Sequence, residues 1–174
     1  EVWLENGKRY ELFATYDICN WSGMLGPKQI EGDRQSPEGF YSVGADQLHR
    51  RGRWRRSLDI GYPNTFDRAH GRTGSFILVH GGCATIGCFA MTNPVMDEIY
   101  ALGEAALAKG QERIHVHVFP FRMTKANLDA HANSPWSAFW ANLKPGYDAF
   151  ERTHGAPQVN VCATQYVFDQ SAPD

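Results

Sequence analysis

The amino-acid sequence predicts an α+β protein built on an antiparallel or mixed sheet. Three observations lead there. The first half carries strand-like segments broken by Gly, Pro and Asn turns. Helical periodicity is confined to the second half. Strict polar–apolar alternation returns between the helices and near the end of the chain. The chain has 174 residues, with no internal repeat, low-complexity tract or linker, so residues 1–174 read as a single domain.

Residues 9–18 (RYELFATYDI) are rich in aromatics and lie between turn-prone segments, which predicts a strand. The segment from Gly32 to Gly39 contains Ser36-Pro37-Glu38-Gly39 and reads as a turn, from which Phe40 to Val43 leave as a second strand. Residues 75–80 (SFILVH) form a continuous apolar run and predict a buried strand ending at Gly81-Gly82. Pro94 opens a helical pattern through Val95, Ile99, Leu102 and Ala106, closed by Gly110. Residues 113–119 (RIHVHVF) alternate as a strand. Thr124–His131 and Ser134–Phe150 are helical, the latter interrupted at Pro145-Gly146, and residues 158–168 supply one or two closing strands.

Composition excludes several classes. Hydrophobic residues make up 43% and charged residues 21%, which is globular and argues against disorder. A net charge of -2 gives no dominant basic field, so nucleic acid is not an expected partner. Arg50, Arg51, Arg53, Arg55 and Arg56 form a local exception, read as a solvated loop that could also meet anionic cell wall. No apolar run is long enough for a membrane span. The opening Glu1-Val2-Trp3-Leu4 already alternates like the interior of a strand, so the N-terminus reads as trimmed.

The densest reactive cluster is His80-Gly81-Gly82-Cys83-Ala84-Thr85-Ile86-Gly87-Cys88, directly after the buried strand. An imidazole beside a thiol can hold a thiolate as an ion pair and later return the proton to a leaving amine. Glycines let backbone N–H groups approach an oxyanion closely. Three readings of the cluster compete. The cysteines could be small buried hydrophobes or half of a disulfide. His80, Cys83 and Cys88 could bind zinc, with His115 or His117 as fourth ligand. Or the cluster could be a cysteine acyl-transfer site. Spacing alone chooses neither Cys83 nor Cys88 as nucleophile, nor His80 over His70 as base.

These residues resemble the L,D-transpeptidase (YkuD-type) catalytic domain, whose signature is Ser/Thr-x-Gly-Cys after a strand ending in His-Gly. Here that reads Thr85-Ile86-Gly87-Cys88 after His80-Gly81, and the turn Ser36-Pro37-Glu38-Gly39-Phe40-Tyr41 is a second shared feature. Leu25-Gly26-Pro27-Lys28, Tyr62-Pro63-Asn64, Asp67-Arg68-Ala69-His70-Gly71 and Leu143-Lys144-Pro145-Gly146-Tyr147-Asp148 are similar to segments of one Gram-negative branch, which is associated with cleaving a murein-anchored lipoprotein from diaminopimelate. The resemblance implies a mostly β, sandwich-like catalytic domain with helices in its C-terminal half.

It also implies Cys88 as nucleophile, His80 as base, the Gly81 carbonyl orienting the imidazole, and Thr85 near an oxyanion site formed by the N–H groups of Gly87 and Cys88. The implied location is the periplasm. The implied partner is a peptidoglycan stem peptide or murein-linked lipoprotein, with no cofactor required. Two features depart from the family: Ile86 stands where most members have His, and His80 precedes Cys88 by only eight residues, a shorter interval than usual. His70 fits the longer interval by count, but His80 is favoured because it follows the apolar strand. Arg34, Arg68, His70 and Tyr41 are candidate substrate contacts, Tyr41 being read chiefly as core. Cys19 and Cys83 can pair if the compartment is oxidising, Cys162 is core, and His115 and His117 share one partly solvated strand face.

Overall fold

The structure is a computed structural model that describes residues 1–168. Val2–Asn6 (β1) and Arg9–Ala14 (β2) form an antiparallel hairpin. Gly39–Val43 (β3) leads through a 3-10 turn at Ala45–Gln47 to the short strands Leu48–His49 (β4) and Ser57–Asp59 (β5). A one-turn helix, Thr65–Ala69 (α1), starts on an Asn64 cap whose side chain accepts from the Asp67 N–H. Then follow Leu78–Gly81 (β6), Phe89–Met91 (β7), Asn93–Ala108 (α2), Ile114–Val118 (β8), Lys125–Ala130 (α3), Ser137–Thr153 (α4), Val159–Cys162 (β9) and Gln165–Phe168 (β10). The class is α+β, as predicted, with 28% helix and 25% strand.

Strands β4–β5–β6–β7 make one sheet that is mixed, because β6 and β7 run parallel while the other pairs are antiparallel. A separate ribbon pairs β3 with β8, and alternation gives it two apolar faces. Tyr41 and Val43 point with Val116 toward Leu58, Ile60, Ile77, Phe89, Met91 and Met96. Phe40 points the other way, into Phe66, Met123, Trp140, Leu143 and Tyr166. The ribbon is therefore the middle layer, between the four-stranded sheet with α2 and the layer formed by α4 with the β9–β10 hairpin.

Two expectations give way to tertiary packing. The helix predicted to break at Pro145 runs on to Thr153. A proline inside a helix costs about 3 kcal/mol, but the inner face of α4 buries Trp140, Leu143 and Gly146. A Cβ on Gly146 would lie 2.3 Å from Phe168 and 2.5 Å from Phe40. Glycine there lets the helix seat on the aromatic layer, and that contact outweighs one lost backbone bond. The strand predicted over 75–80 begins only at Leu78. Phe76 takes φ 52° and its ring is 68% exposed, so the apolar run was longer than the strand it encodes. The arginine cluster does not simply face solvent. Arg55 and Arg56 pair with Asp97 and Arg50 with Glu104, laying the 50–56 loop along α2. Exposed pairs of this kind contribute little stability each; their effect here is placement.

Candidate active site

Neighbouring parallel strands ordinarily need a connection of about a dozen residues or more. Here residues 82–88 join β6 to β7. Gly82 and Gly87 take φ 88° and φ 135°, values that side chains with a Cβ rarely adopt. The loop is pinned from outside by a disulfide between Cys19 and Cys83, with Cα atoms 5.4 Å apart. The segment entering that disulfide hydrogen-bonds to β7, Cys19 N–H to the Ala90 carbonyl at 2.8 Å and Ala90 N–H to the Asn20 carbonyl at 2.9 Å. The Asn20 amide donates to the Cys83 carbonyl at 3.1 Å. Cutting this staple with Cys83→Ser is expected to cost about 4 kcal/mol, from the chain entropy of a loop spanning 64 residues. Urea denaturation of the variant against the oxidised parent measures it.

His80 is fully buried in β6. Its Nδ1 lies 2.9 Å from the Gly81 carbonyl oxygen. A carbonyl only accepts, so Nδ1 is the nitrogen that donates to it. Nε2 has no hydrogen-bond partner among the described residues. The ring stacks on Trp54 at 4.1 Å and 18°, which fixes its plane and shields it from water. The ring thus presents Nε2 in an orientation set by the next residue's backbone.

Cys88 immediately precedes β7. The register pairs His80 with Ala90, so alternation sends Cys88 toward the face that carries Leu78 and His80. The Leu78 N–H donates to the sulfur at 3.4 Å, and the thiol donates to the Phe76 carbonyl at 3.7 Å. Burial pushes the Cys88 thiol above its ordinary pKa. The Leu78 N–H, the Thr85 hydroxyl and the Lys28 ammonium act the other way, and Asp59 adds to the rise. The resting thiol is therefore neutral. Burial and the thiol's contact with the Phe76 carbonyl disfavour a resting thiolate. Thr85 donates to the Cys88 carbonyl at 3.0 Å, bracing the turn that aims the sulfur.

The other predicted residues divide. Arg34 takes φ 58° in an exposed turn. That turn adjoins the site: the Gln35 carbonyl oxygen lies 3.5 Å from where a Gly87 Cβ would stand. Tyr41 is not a surface contact. It is 4% exposed and its hydroxyl donates to Asp67 at 3.0 Å, so its ring builds the ribbon's core face. His70 caps the end of α1, with Nδ1 2.9 Å from the Phe66 carbonyl and its ring 4.2 Å from Phe66. Arg68 donates to the Pro63 carbonyl and lines a groove whose walls include none of Cys88, His80 and Thr85. The zinc grouping does not assemble, since the Cys83 sulfur is bonded to Cys19 and His115 and His117 line that same other groove. Cys162 is exposed in β9 rather than buried in core.

Sequence reasoning missed Trp54 and underrated Lys28. Trp54 lay hidden in the arginine-rich loop and nothing local marks it. Lys28 stood in a quoted motif. Its ammonium, almost fully buried, bonds to Asp33 at 2.5 Å and to the Ile30 carbonyl at 2.9 Å, tying the 25–38 segment beneath the site.

The site thus brings together a buried histidine held by the following glycine's carbonyl, a Gly-Cys closing the next loop, and a Ser-Pro-x-Gly turn against it. The profile of the YkuD L,D-transpeptidase catalytic domain matches residues 2–116, and the chain belongs to that family, whose catalytic domains act on peptidoglycan. A protein of Escherichia coli K12 bearing the provisional name L,D-transpeptidase YafK is 47% identical over 167 residues, 96% of this chain and 68% of that protein. Its counterpart in Escherichia coli O157:H7 matches to the same extent. Among solved structures, a point mutant of the helical cell shape determining protein Pgp2 from Campylobacter jejuni gives a TM-score of 0.45 at 22% identity. Unmutated Pgp2 gives 0.43 at 18%. The chain spans 44% of the first of these two chains and 61% of the second.

Proposed function

We propose that the protein is a periplasmic cysteine acyl-transfer enzyme that cuts the amide following meso-diaminopimelate in peptidoglycan stem peptides. The observation that carries this reading is the buried His80, with Nδ1 donating to the Gly81 carbonyl and Nε2 unpartnered among the described residues, on the strand beside the loop of a half-buried Cys88. Catalytic hydrogen bonds are often long in the free enzyme and tighten in the complex. On substrate binding the Cys88 proton passes to His80 Nε2 and the sulfur attacks the diaminopimelate carbonyl. N–H groups of Gly87 and Cys88 hold the oxyanion, each such donor being worth about 3–4 kcal/mol in other enzymes. The C–N bond breaks, the imidazolium returns the proton to the leaving amine, and a thioester remains. Water then attacks the thioester, releasing Cys88 and a carboxylate.

Water is favoured as acceptor over a second stem because the His80–Cys88 loop is short and Ile86 is 78% exposed, leaving the sulfur's surroundings open. The branch that the motifs resemble points to diaminopimelate bonded to a lipoprotein as the scissile group. The Cys19–Cys83 disulfide supports an oxidising compartment.

The test incubates the protein with muropeptides and with muropeptides linked to a lipoprotein C-terminal peptide, followed by mass spectrometry. Hydrolysis predicts release of the linked peptide and a free diaminopimelate carboxylate. New 3–3 crosslinks without that release would overturn the hydrolytic reading and leave transpeptidation.

A further inference from the structure

A groove of about 670 Å³ opens between the β3–β8 ribbon, α1 and the chain leading into β9. That volume suits a sugar-sized ligand. It is not the space around the sulfur, since neither Cys88 nor any residue from Ile77 to Ala90 lines it. Its floor is apolar and aromatic, with Phe40, Ile60 and Phe66, and its rim carries Arg68, Arg113, His115 and His117. Among the described residues no Asp or Glu lines it.

The rim groups are only partly used by the protein. Arg113 donates through Nε to the Ser42 hydroxyl at 2.6 Å, and through Nη2 to the Ser42 carbonyl and Gln47. These bonds fix the guanidinium beside β3, and among the described residues Nη1 makes no hydrogen bond. Arg68 is anchored by the Pro63 carbonyl and the Thr65 hydroxyl, with donors to spare. His115 and His117 alternate onto one face of β8, their ring centroids 6.2 Å apart. Neither imidazole has a hydrogen-bond partner within the protein among the described residues, whereas His70, His80 and His131 each have a backbone carbonyl. Two anchored guanidiniums and two imidazoles, with no carboxylate from the described residues lining the groove, form a site preset for negative charge.

We propose that this groove binds an oxyanion, a carboxylate or phosphate carried on a sugar-sized group, with Arg68 and Arg113 pairing the charge and His115 and His117 hydrogen-bonding the ligand. The site stands apart from the reading of Cys88, so either can fail alone. The charges acting on His115 are Arg113, just before β8, and Glu5 from the β1–β2 hairpin; on His117 it is His115. Burial, chiefly, lowers both pKa values, His117 to about 4. A bound anion favours the protonated ring and must raise them.

The test follows the ring C–H signals of His115 and His117 by NMR at pH 6 in the intact chain. It titrates with N-acetylmuramic acid, inorganic phosphate and neutral N-acetylglucosamine. Saturable shifts with either anion and an upward move of the His117 titration support the site; the stronger of the two anions identifies the source as a carboxylated sugar or a phosphate. Arg68→Gln and Arg113→Gln should each weaken binding at least tenfold while the amide spectrum stays native. Equal shifts with the neutral sugar, no shift with either anion, or anion binding that survives both substitutions together would overturn it.

Discussion

Replacing Cys88 with Ala is expected to abolish turnover of diaminopimelate-linked substrate, by roughly 10⁴-fold or more, with the fold unchanged. The sulfur's contacts to the Leu78 N–H and the Phe76 carbonyl are weak, so little stability rests on it. His80→Ala is expected to lower kcat by about 10²–10⁴-fold, the usual worth of a general base, but it also removes a buried ring stacked on Trp54. Trp54→Leu separates the two effects, since it loosens the imidazole while keeping Nε2. A loss of kcat at unchanged KM in that variant marks positioning. Because burial raises the resting thiol's pKa, iodoacetamide should label Cys88 slowly near pH 7 and faster as pH rises past the ordinary thiol range. His80→Ala should leave that resting profile nearly unchanged while still removing turnover. A His80-dependent profile saturating below pH 7 would instead reveal a preformed ion pair.

The second large effect concerns stability. Asp67 is fully buried and Arg72 nearly so, their side chains 2.8 Å apart. The other Asp67 oxygen accepts from the Tyr41 hydroxyl at 3.0 Å and the Asn64 N–H at 3.1 Å. The Arg72 guanidinium lies over the rings of Phe66 and Phe139 at 5.2 and 5.1 Å. This pair joins the β3–β8 ribbon, α1 and the N-terminal part of α4. Arg72→Met leaves a buried carboxylate without its cation, and breaking such a pair costs about 3–5 kcal/mol. In a domain of this size that lowers Tm by roughly 10–15 °C. Arg72→Met with Asp67→Asn removes the orphaned charge and should recover part of the loss. A double-mutant cycle in urea yields the coupling, and an additive result would show that the pair contributes no specific stability.

Legibility of this molecule from its sequence follows the range of the interactions involved. Local signals held. Pro94 and the spacing of Val95, Ile99, Leu102 and Ala106 mark α2, Thr124 caps α3, and the alternation of 113–119 gives β8. The turn of the candidate site was also readable, because Thr85, Gly87 and Cys88 form it among themselves. Features that depend on distant partners were not. Pro145 is tolerated because Phe40 and Phe168 receive Gly146 from other layers. β5 is three residues long and is held by pairing on both edges rather than by its own pattern. Trp54 gains its role only when the 50–56 loop is laid along α2 by Asp97 and Glu104.

The most direct measurement is peptide mapping of protein quenched during turnover on tetrapeptide muropeptides. The peptide containing Cys88 should carry the acyl portion of the substrate as a thioester that disappears on chasing with water, and the Cys88→Ala protein should carry none. Product that accumulates while Cys88 is never acylated, or an acyl group found only on Cys162, would contradict the assignment of the nucleophile.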